Sequence, residues 1–268
     1  MDIRKKCQSH LWLLTGTGEG RLFAKTLLKE GWKISVSVVS ERAAIPYENL
    51  NLEKIFIGAL STDEEIRNII LNTRNNQMGF YCVIDMTHPF ATRITPMISK
   101  VCKELGQPFI RYERKIDNIS NAFLIKKFSD LDNFSIAKKS ILFAIGVRHL
   151  QGALSSVRDL GSNVYARILA NPESIKKALS TSIPKINFAV LNPSVSSEGE
   201  IEKALIRKWA INGVVCRQSG GRTEKLWQRI CLSLGIDLWL LERPSKLQEG
   251  DSIDSFEKLI NRLQSISM

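Results

Sequence analysis

The segment from residue 80 to residue 93 constrains the fold of this chain more than any other. Five apolar or aromatic residues, 80–84, run without a break, as in a strand that is buried on both faces. Polar residues follow from Asp85, and residues 98–105 then show helical spacing before Gly106. The sequence therefore predicts a strand, a polar loop and a helix. In open α/β sheets, ligands bind at such carboxyl ends of strands.

A similar strand, turn and helix is predicted near the N-terminus. Residues 11–14 lead into Thr-Gly-Thr-Gly-Glu-Gly at 15–20, and a helix follows through Leu28 until Gly31. Glycines let the backbone approach a phosphate, which then lies at the helix N-terminus. The full Gly-x-Gly-x-x-Gly pattern is not met, because Arg21 stands at the third glycine position. The cofactor-binding candidates of this turn are Gly16, Thr17, Gly18 and Glu19.

The end of the second predicted strand, at residues 33–39, lies where dinucleotide folds bind the adenosine ribose. Glu41 favours the 2′-hydroxyl of NAD, whereas Ser40 and Arg42 favour the 2′-phosphate of NADP. We expect NADPH, because Ser40 and Arg42 together can hold a phosphate while Glu41 points away. NADH and an ordinary solvated turn remain the alternatives.

The second half of the chain repeats the α/β pattern. Strands are predicted at residues 141–145, 164–169, 186–191 and 213–216, and helices at 197–209 and from the loop 217–221 to Leu234. We therefore expect an α/β fold of two Rossmann-like lobes with mainly parallel sheets and a cleft between them. The predicted domains are residues 1–118, which bind the dinucleotide, and residues 119–268, which complete the substrate cleft and end in a packing helix.

The composition of the chain narrows the classes of partner that it is expected to bind. The formal charge of +11 is spread over both halves, whereas nucleic-acid binders concentrate it. A diffuse positive field suits a small polyanionic ligand. The five cysteines form no Cys-x-x-Cys pair and the three histidines show no metal-ligand spacing, so we expect reduced thiols and no metal. No segment has the length and hydrophobicity of a membrane span, so we expect a cytoplasmic protein that binds neither nucleic acid nor membrane.

Residues 85–91, Asp-Met-Thr-His-Pro-Phe-Ala, resemble the Asp-Ala-Thr-His-Pro-Phe-Ala signature of the precorrin-6A reductases, NAD(P)H-dependent enzymes of corrin-ring biosynthesis. The turn at 15–19 resembles their Gly-Gly-Thr-x-Glu opening, with Thr15 replacing the first glycine. The chain departs from the family at 192–194, where Asn-Pro-Ser replaces Gly-Pro-Phe. It departs again at 217–221, where Arg-Gln-Ser-Gly-Gly replaces Lys-Asp-Ser-Gly-Gly. A proton-transfer role for that family Asp therefore does not carry over.

This resemblance implies the reduction of a tetrapyrrole, precorrin-6A or its cobalt form, to the dihydro product precorrin-6B in cobalamin biosynthesis. The acid/base candidates are Asp85 and His88, and Thr87, Pro89 and Phe90 would lie at the nicotinamide end of the cofactor. The candidates for binding the macrocycle's carboxylates are Arg93, Arg217, Ser219, Gly220, Gly221 and Lys225.

The sequence is also compatible with other functions. The chain fits another NAD(P)-dependent reductase of Rossmann type, although it lacks the Tyr-x-x-x-Lys pair of short-chain dehydrogenases. A non-catalytic NADPH-sensing module and a basic RNA-binding protein are the further alternatives, and salt-sensitive RNA binding would reveal the last. The sequence leaves open the cobalt content of the substrate, the proton donor and the oligomeric state, a monomer included.

Overall fold

The computed structural model describes residues 9–16, 18–116, 121–157, 160–192, 198–244 and 252–266. Thr17, Pro193, Ser194, the first residue of the predicted helix 197–209 and the predicted domain boundary at 118/119 lie outside these ranges. The chain divides into two compact units, Met1–Lys115 with Pro244–Met268 and, separately, Ile116–Arg243.

The first unit contains one parallel sheet with the strand order β3-β2-β1-β4-β5-β12. Its elements are β1 (His10–Thr15), α1 (Gly20–Lys29), β2 (Lys33–Val38), α2 (Glu41–Ala44), β3 (Lys54–Ile57), α3 (Asp63–Asn75), β4 (Phe80–Met86), α4 (Ile94–Glu104), β5 (Phe109–Tyr112), β12 (Ser252–Ile253) and α9 (Phe256–Ser265). This is the strand order of the doubly wound dinucleotide-binding folds, and β1 and β4 flank its topological switch point.

The second unit repeats this order around β7, as β9-β8-β7-β10-β11-β6, again with parallel pairings. Its elements are β6 (Phe123–Ile125), β7 (Ser140–Ala144), α5 (Val147–Val157), β8 (Asn163–Ile168), α6 (Pro172–Leu179), β9 (Phe188–Val190), α7 (Glu200–Lys208), β10 (Gly213–Arg217), α8 (Arg222–Leu234) and β11 (Asp237–Leu241). The expectation of two Rossmann-like α/β units with parallel sheets is therefore confirmed.

The C-terminal segment belongs to the first unit, so its prediction as part of a second domain 119–268 was wrong. Ser252 and Ile253 pair in parallel with Arg111 and Tyr112 and add a sixth strand to the first sheet. Leu259 and Leu263 of α9 are fully buried in the core of that unit. In the second unit, β6 takes the sixth place although it precedes the other strands in the chain.

Both faces of the central strands are buried, which explains their continuous apolar runs. In β1, Leu11 and Leu13 pack in one core cluster, while Trp12 and Leu14 pack in another. Successive side chains of a strand point to opposite faces, so a strand covered by helices on both sides must be apolar throughout. Within the described ranges, no helix is both long enough and apolar enough to cross a membrane.

Candidate functional site

The glycine turn and the loop after β4 meet at the switch point of the first unit. β1 and β4 pair in parallel, with Leu14 opposite Asp85 and Thr15 opposite Met86. A Cβ added to Gly16 would lie 3.3 Å from the backbone nitrogen of His88 and 3.4 Å from Thr87 Cα. Glycine at this position therefore lets the two loops pack backbone to backbone.

The N-terminus of α1 is open on the side of Gly18. A Cβ on Gly18 would have no atom within 4 Å, so its backbone faces open space. Glu19 is the N-cap residue of α1, but no side chain caps the helix among the described residues. Backbone N–H groups and the helix dipole attract anions at such an end. The residues that the structure describes here therefore fit a dinucleotide pyrophosphate.

Gly20 allows the close packing of α1 against β1 that the third glycine of the sequence motif ordinarily provides. It is buried at the start of α1, and a Cβ on it would lie 2.9 Å from Thr15 Cβ and overlap the Tyr47 hydroxyl. Arg21, which occupies the motif position, instead donates from Nε to the carbonyl oxygen of Pro46 at 2.5 Å. The motif does not indicate this role, because the glycine lies one residue earlier than the pattern requires.

Asp85 lies beneath the loop, where it forms a buried ion pair. Its side chain is fully buried, and Arg111 Nη1 lies 2.8 Å from Asp85 Oδ1. The same Oδ1 accepts a hydrogen bond from the backbone N–H of Thr87 at 2.9 Å. Arg111 Nη1 also donates to Thr87 Oγ1 at 2.9 Å, and Glu113 Oε1 lies 3.5 Å from Arg111 Nε. This burial suits Asp85 to positioning the loop better than to direct contact with a substrate.

His88 is half-buried and has a defined tautomer. The backbone N–H of Phe90 donates to His88 Nδ1 at 3.2 Å, so this nitrogen accepts. The proton of the neutral ring is therefore on Nε2. Pro89 lines a small cavity together with Met86, Thr87, Tyr112 and Arg114. The loop thus brings together the predicted residues Thr87, His88 and Pro89 beside the glycine turn.

The predicted ribose-binding residues lie at the carboxyl end of β2, which neighbours β1. The hydroxyl of Ser40 accepts from the backbone N–H of Ala43 at 3.4 Å and so caps α2. Glu41 and Arg42 follow in the first turn of α2, and all three residues are exposed. The role of these residues in ribose recognition and the choice between NADPH and NADH both stay predictions.

In the second unit, β10 ends at Arg217, and the loop 218–221 follows it at the corresponding switch point. The buried carboxylate of Glu224, 2% exposed, accepts from the backbone N–H groups of Ser219 and Gly220 at 2.5 and 2.6 Å through Oε2. Gly220 has a positive φ of 66°, and the N–H of Gly221 reaches Ser219 Oγ at 3.3 Å. This geometry is an anion-binding nest whose occupant is Glu224 itself. The amides of Ser219 and Gly220 are therefore already used within the protein.

Cationic groups lie beside that loop. Burial lowers the pKa of Arg217, and the nearby Arg148 lowers it further. Burial likewise lowers the pKa of His149, with additional contributions from Arg217 and Arg148. Lys225 is exposed on α8, whereas Arg93 is exposed at the start of α4 in the first unit. Such groups attract carboxylates.

Other features are less suited to chemistry. In the ranges given above, no group of three His, Cys, Asp or Glu side chains could hold a metal ion. Burial raises the pKa values of Cys102 and Cys231 to about 12, which keeps both as thiols at neutral pH. A cavity of about 410 Å³ lies at the amino ends of the first unit's strands, lined in part by His10, on the edge opposite the glycine turn.

The strand order and the site at its switch point define an α/β protein of Rossmann type. The family model for precorrin-6x reductase CbiJ/CobK matches residues 10–264, so the chain belongs to this family of oxidoreductases. The resemblance seen in the sequence motifs is thereby confirmed.

Individual relatives align with this chain over nearly its whole length. The cobalt-precorrin-6A reductase of Synechocystis sp. is 28% identical over 262 residues, which cover 94% of this chain and 96% of that protein. The cobalt-precorrin-6A reductase of Priestia megaterium is 26% identical over 257 residues, with 94% and 96% covered. Among solved structures, a CobK precorrin-6A reductase has a TM-score of 0.75 at 21% identity and covers 96% of each chain, which supports the fold.

Proposed function

We propose that the protein reduces precorrin-6A, or its cobalt form, to the dihydro product precorrin-6B with NADPH. The observation that carries this proposal is the meeting of the glycine turn with the Thr87–His88 backbone, where a Cβ on Gly16 would come within 3.3 Å of His88 N. A dinucleotide whose pyrophosphate lies on α1 then has its reactive end within reach of that loop. Membership of the reductase family supports the same reaction.

When bound, the reduced nicotinamide supplies the hydride, and the protein supplies binding, orientation and a dry environment. Gly16, Gly18 and the N-terminus of α1 hold the pyrophosphate, and Ser40 and Arg42 hold the 2′-phosphate of the ribose. Thr87, Pro89 and Phe90 orient the nicotinamide end. Asp85 keeps this loop in place through its bonds to Thr87 N and Arg111.

His88 is the proposed proton donor at the reacting end of the site. Its proton is on Nε2, because Nδ1 accepts from Phe90 N. A general acid must carry a dissociable proton, so the reacting form is the imidazolium, in which Nδ1 is protonated, the bond from Phe90 N is released, and Nε2 gives its proton to the macrocycle. Arg93, Arg217 and Lys225 are the proposed partners of the macrocycle's carboxylates, whereas Ser219, Gly220 and Gly221 shape the loop that follows Arg217.

The decisive experiment is anaerobic incubation with NADPH and precorrin-6A, and in parallel with the cobalt form. We expect NADPH absorbance to fall in proportion to the change in the macrocycle spectrum. The Gly18→Val variant serves as a matched control that lacks cofactor binding. NADPH binding without turnover of either macrocycle would indicate a sensing module, and the absence of NADPH and NADH binding would refute the proposal.

A further inference from the structure

An ion pair joins the glycine turn to the end of β5. Arg114 Nε lies 2.6 Å from Glu19 Oε2, and the two side chains are 12% and 31% exposed. Glu19 immediately precedes α1, and Arg114 lies two residues beyond the last residue of β5. The pair therefore lies beside the helix end to which we assign the pyrophosphate.

The bonding of the Glu19 carboxylate is unusual for an acidic residue at a helix N-terminus. A carboxylate there ordinarily stabilises the helix dipole or accepts from the first N–H groups. Glu19 makes no capping hydrogen bond to α1. Its carboxylate pairs with Arg114 instead, and so the helix end keeps its N–H groups for another acceptor.

Arg114 also faces the loop that follows β4. Together with Met86, Thr87, Pro89 and Tyr112 it lines the small cavity at this loop. Its guanidinium thus lies among the residues of both halves of the candidate cofactor site. An arginine is the side chain best suited to bind a phosphate through paired N–H groups.

We propose that Arg114 is a phosphate-binding residue of the cofactor site, and that Glu19 holds it in place until a dinucleotide diphosphate replaces the carboxylate. This inference rests on the proposed function, because it assumes that a dinucleotide binds at α1. Glu19 then acts as a competitor of the cofactor. Removing its charge tightens cofactor binding, whereas removing the charge of Arg114 weakens it.

The test measures the dissociation constant of NADPH by calorimetry for the native protein, Glu19→Gln, Arg114→Gln and Lys100→Gln. The last variant removes one positive charge from an exposed pair with Asp63, on helices α4 and α3 of the same unit. We expect Glu19→Gln to bind NADPH about threefold more tightly or better, because a like charge beside the diphosphate is gone. Arg114→Gln should bind about tenfold more weakly or worse, with a shallower dependence on salt.

Inorganic pyrophosphate, used as a competitor of NADPH, should follow the same order of affinities. Binding by Glu19→Gln that is unchanged or weaker would mean that the pair only braces the turn, and would overturn the inference. An Arg114→Gln affinity equal to that of Lys100→Gln would do the same. If Arg114→Gln does not fold, the NADPH affinity of Glu19→Gln alone tests the inference. Failure of the native protein to bind any nicotinamide would instead refute the proposed function.

Discussion

Arg111 Nη1 lies 2.8 Å from Asp85 Oδ1 and 2.9 Å from Thr87 Oγ1, so one guanidinium on β5 fixes both the end of β4 and the loop after it. The Arg111 side chain is 6% exposed, and that of Asp85 is fully buried. A buried charge is tolerated only with a partner that compensates for the lost hydration. The geometry of the proposed site therefore depends on Arg111, which does not line the small cavity formed by Met86, Thr87, Pro89, Tyr112 and Arg114.

Arg111→Leu should destabilise the first unit strongly. It leaves Asp85 buried without its cation, and breaking such a pair from one side costs about 3–5 kcal/mol. Urea denaturation followed by circular dichroism measures the free energy of unfolding. The double variant Asp85→Asn/Arg111→Leu should recover part of the loss, since no uncompensated charge remains at position 85. Lys100→Gln, which breaks an exposed pair, should change stability little. A small loss in Arg111→Leu would contradict the assigned pairing.

The sequence predicted the switch point well because the central strands have a distinctive pattern. The runs 11–14 and 80–84 are apolar on both faces, and each ends abruptly in polar residues. The ion pair of Arg111 with Asp85 was not predicted, although the sequence contains an indication of it. A single arginine in the short strand Phe109–Tyr112 requires a buried partner, and the neighbouring strand offers Asp85.

The edge strands β3, β6 and β12 were not predicted, for a different reason, whereas the edge strand β9 lies within the predicted strand 186–191. β3, β6 and β12 contain four, three and two residues, too few for an alternating pattern to stand out. The C-terminal helix showed its apolar face clearly, but its sequence position next to the second half suggested the wrong unit. Only the tertiary pairing of Ile253 with Tyr112 assigns it to the first sheet.

Two glycine substitutions separate binding from packing. Gly18→Val should abolish NADPH binding while the protein stays folded, because no atom lies within 4 Å of a Cβ there. Gly20→Ala should lower stability by about 1–3 kcal/mol, since its Cβ would overlap Thr15 and Tyr47. Calorimetry and thermal unfolding measure the two effects. Unchanged NADPH affinity in a folded Gly18→Val variant would place the dinucleotide elsewhere.

Arg42 is expected to determine the preference for NADPH over NADH. Arg42→Ala should weaken NADPH binding by roughly 1.5–3 kcal/mol, the value of a charged hydrogen bond, and leave NADH affinity nearly unchanged. The matched control is Lys29→Ala, which removes a positive charge from the opposite end of α1. Equal affinities of the native protein for both cofactors would refute the NADPH assignment but not the reductase function.

Glu224 should prove essential for the loop 218–221, which follows Arg217. Glu224→Ala leaves the N–H groups of Ser219 and Gly220 without their acceptor and should cost about 1–3 kcal/mol. Glu224→Gln keeps an acceptor oxygen and should cost less. Sodium formate, but not sodium chloride at equal ionic strength, should raise the melting temperature of Glu224→Ala by filling the nest. No difference between the two salts would contradict occupation of the nest by this carboxylate.

His88→Ala separates a reacting residue from a structural one. The substitution removes the acceptor of Phe90 N in a half-exposed loop, so stability should fall by only about 0.5–1.5 kcal/mol. NADPH affinity should hardly change. Turnover with the macrocycle should fall by about tenfold to a thousandfold if Nε2 supplies or orients the proton.

The pH dependence of turnover then distinguishes His88 from Asp85. Loss of a proton donor in His88→Ala should remove the limb of the pH–rate profile that this imidazole causes. Asp85→Asn should lower stability and turnover together without shifting the profile, because Asp85 is fully buried and positions Thr87. A shifted profile in Asp85→Asn would transfer the acid/base role to this carboxylate. Full activity in both variants would leave the loop a scaffold and make the cationic residues around Arg217 the main candidates.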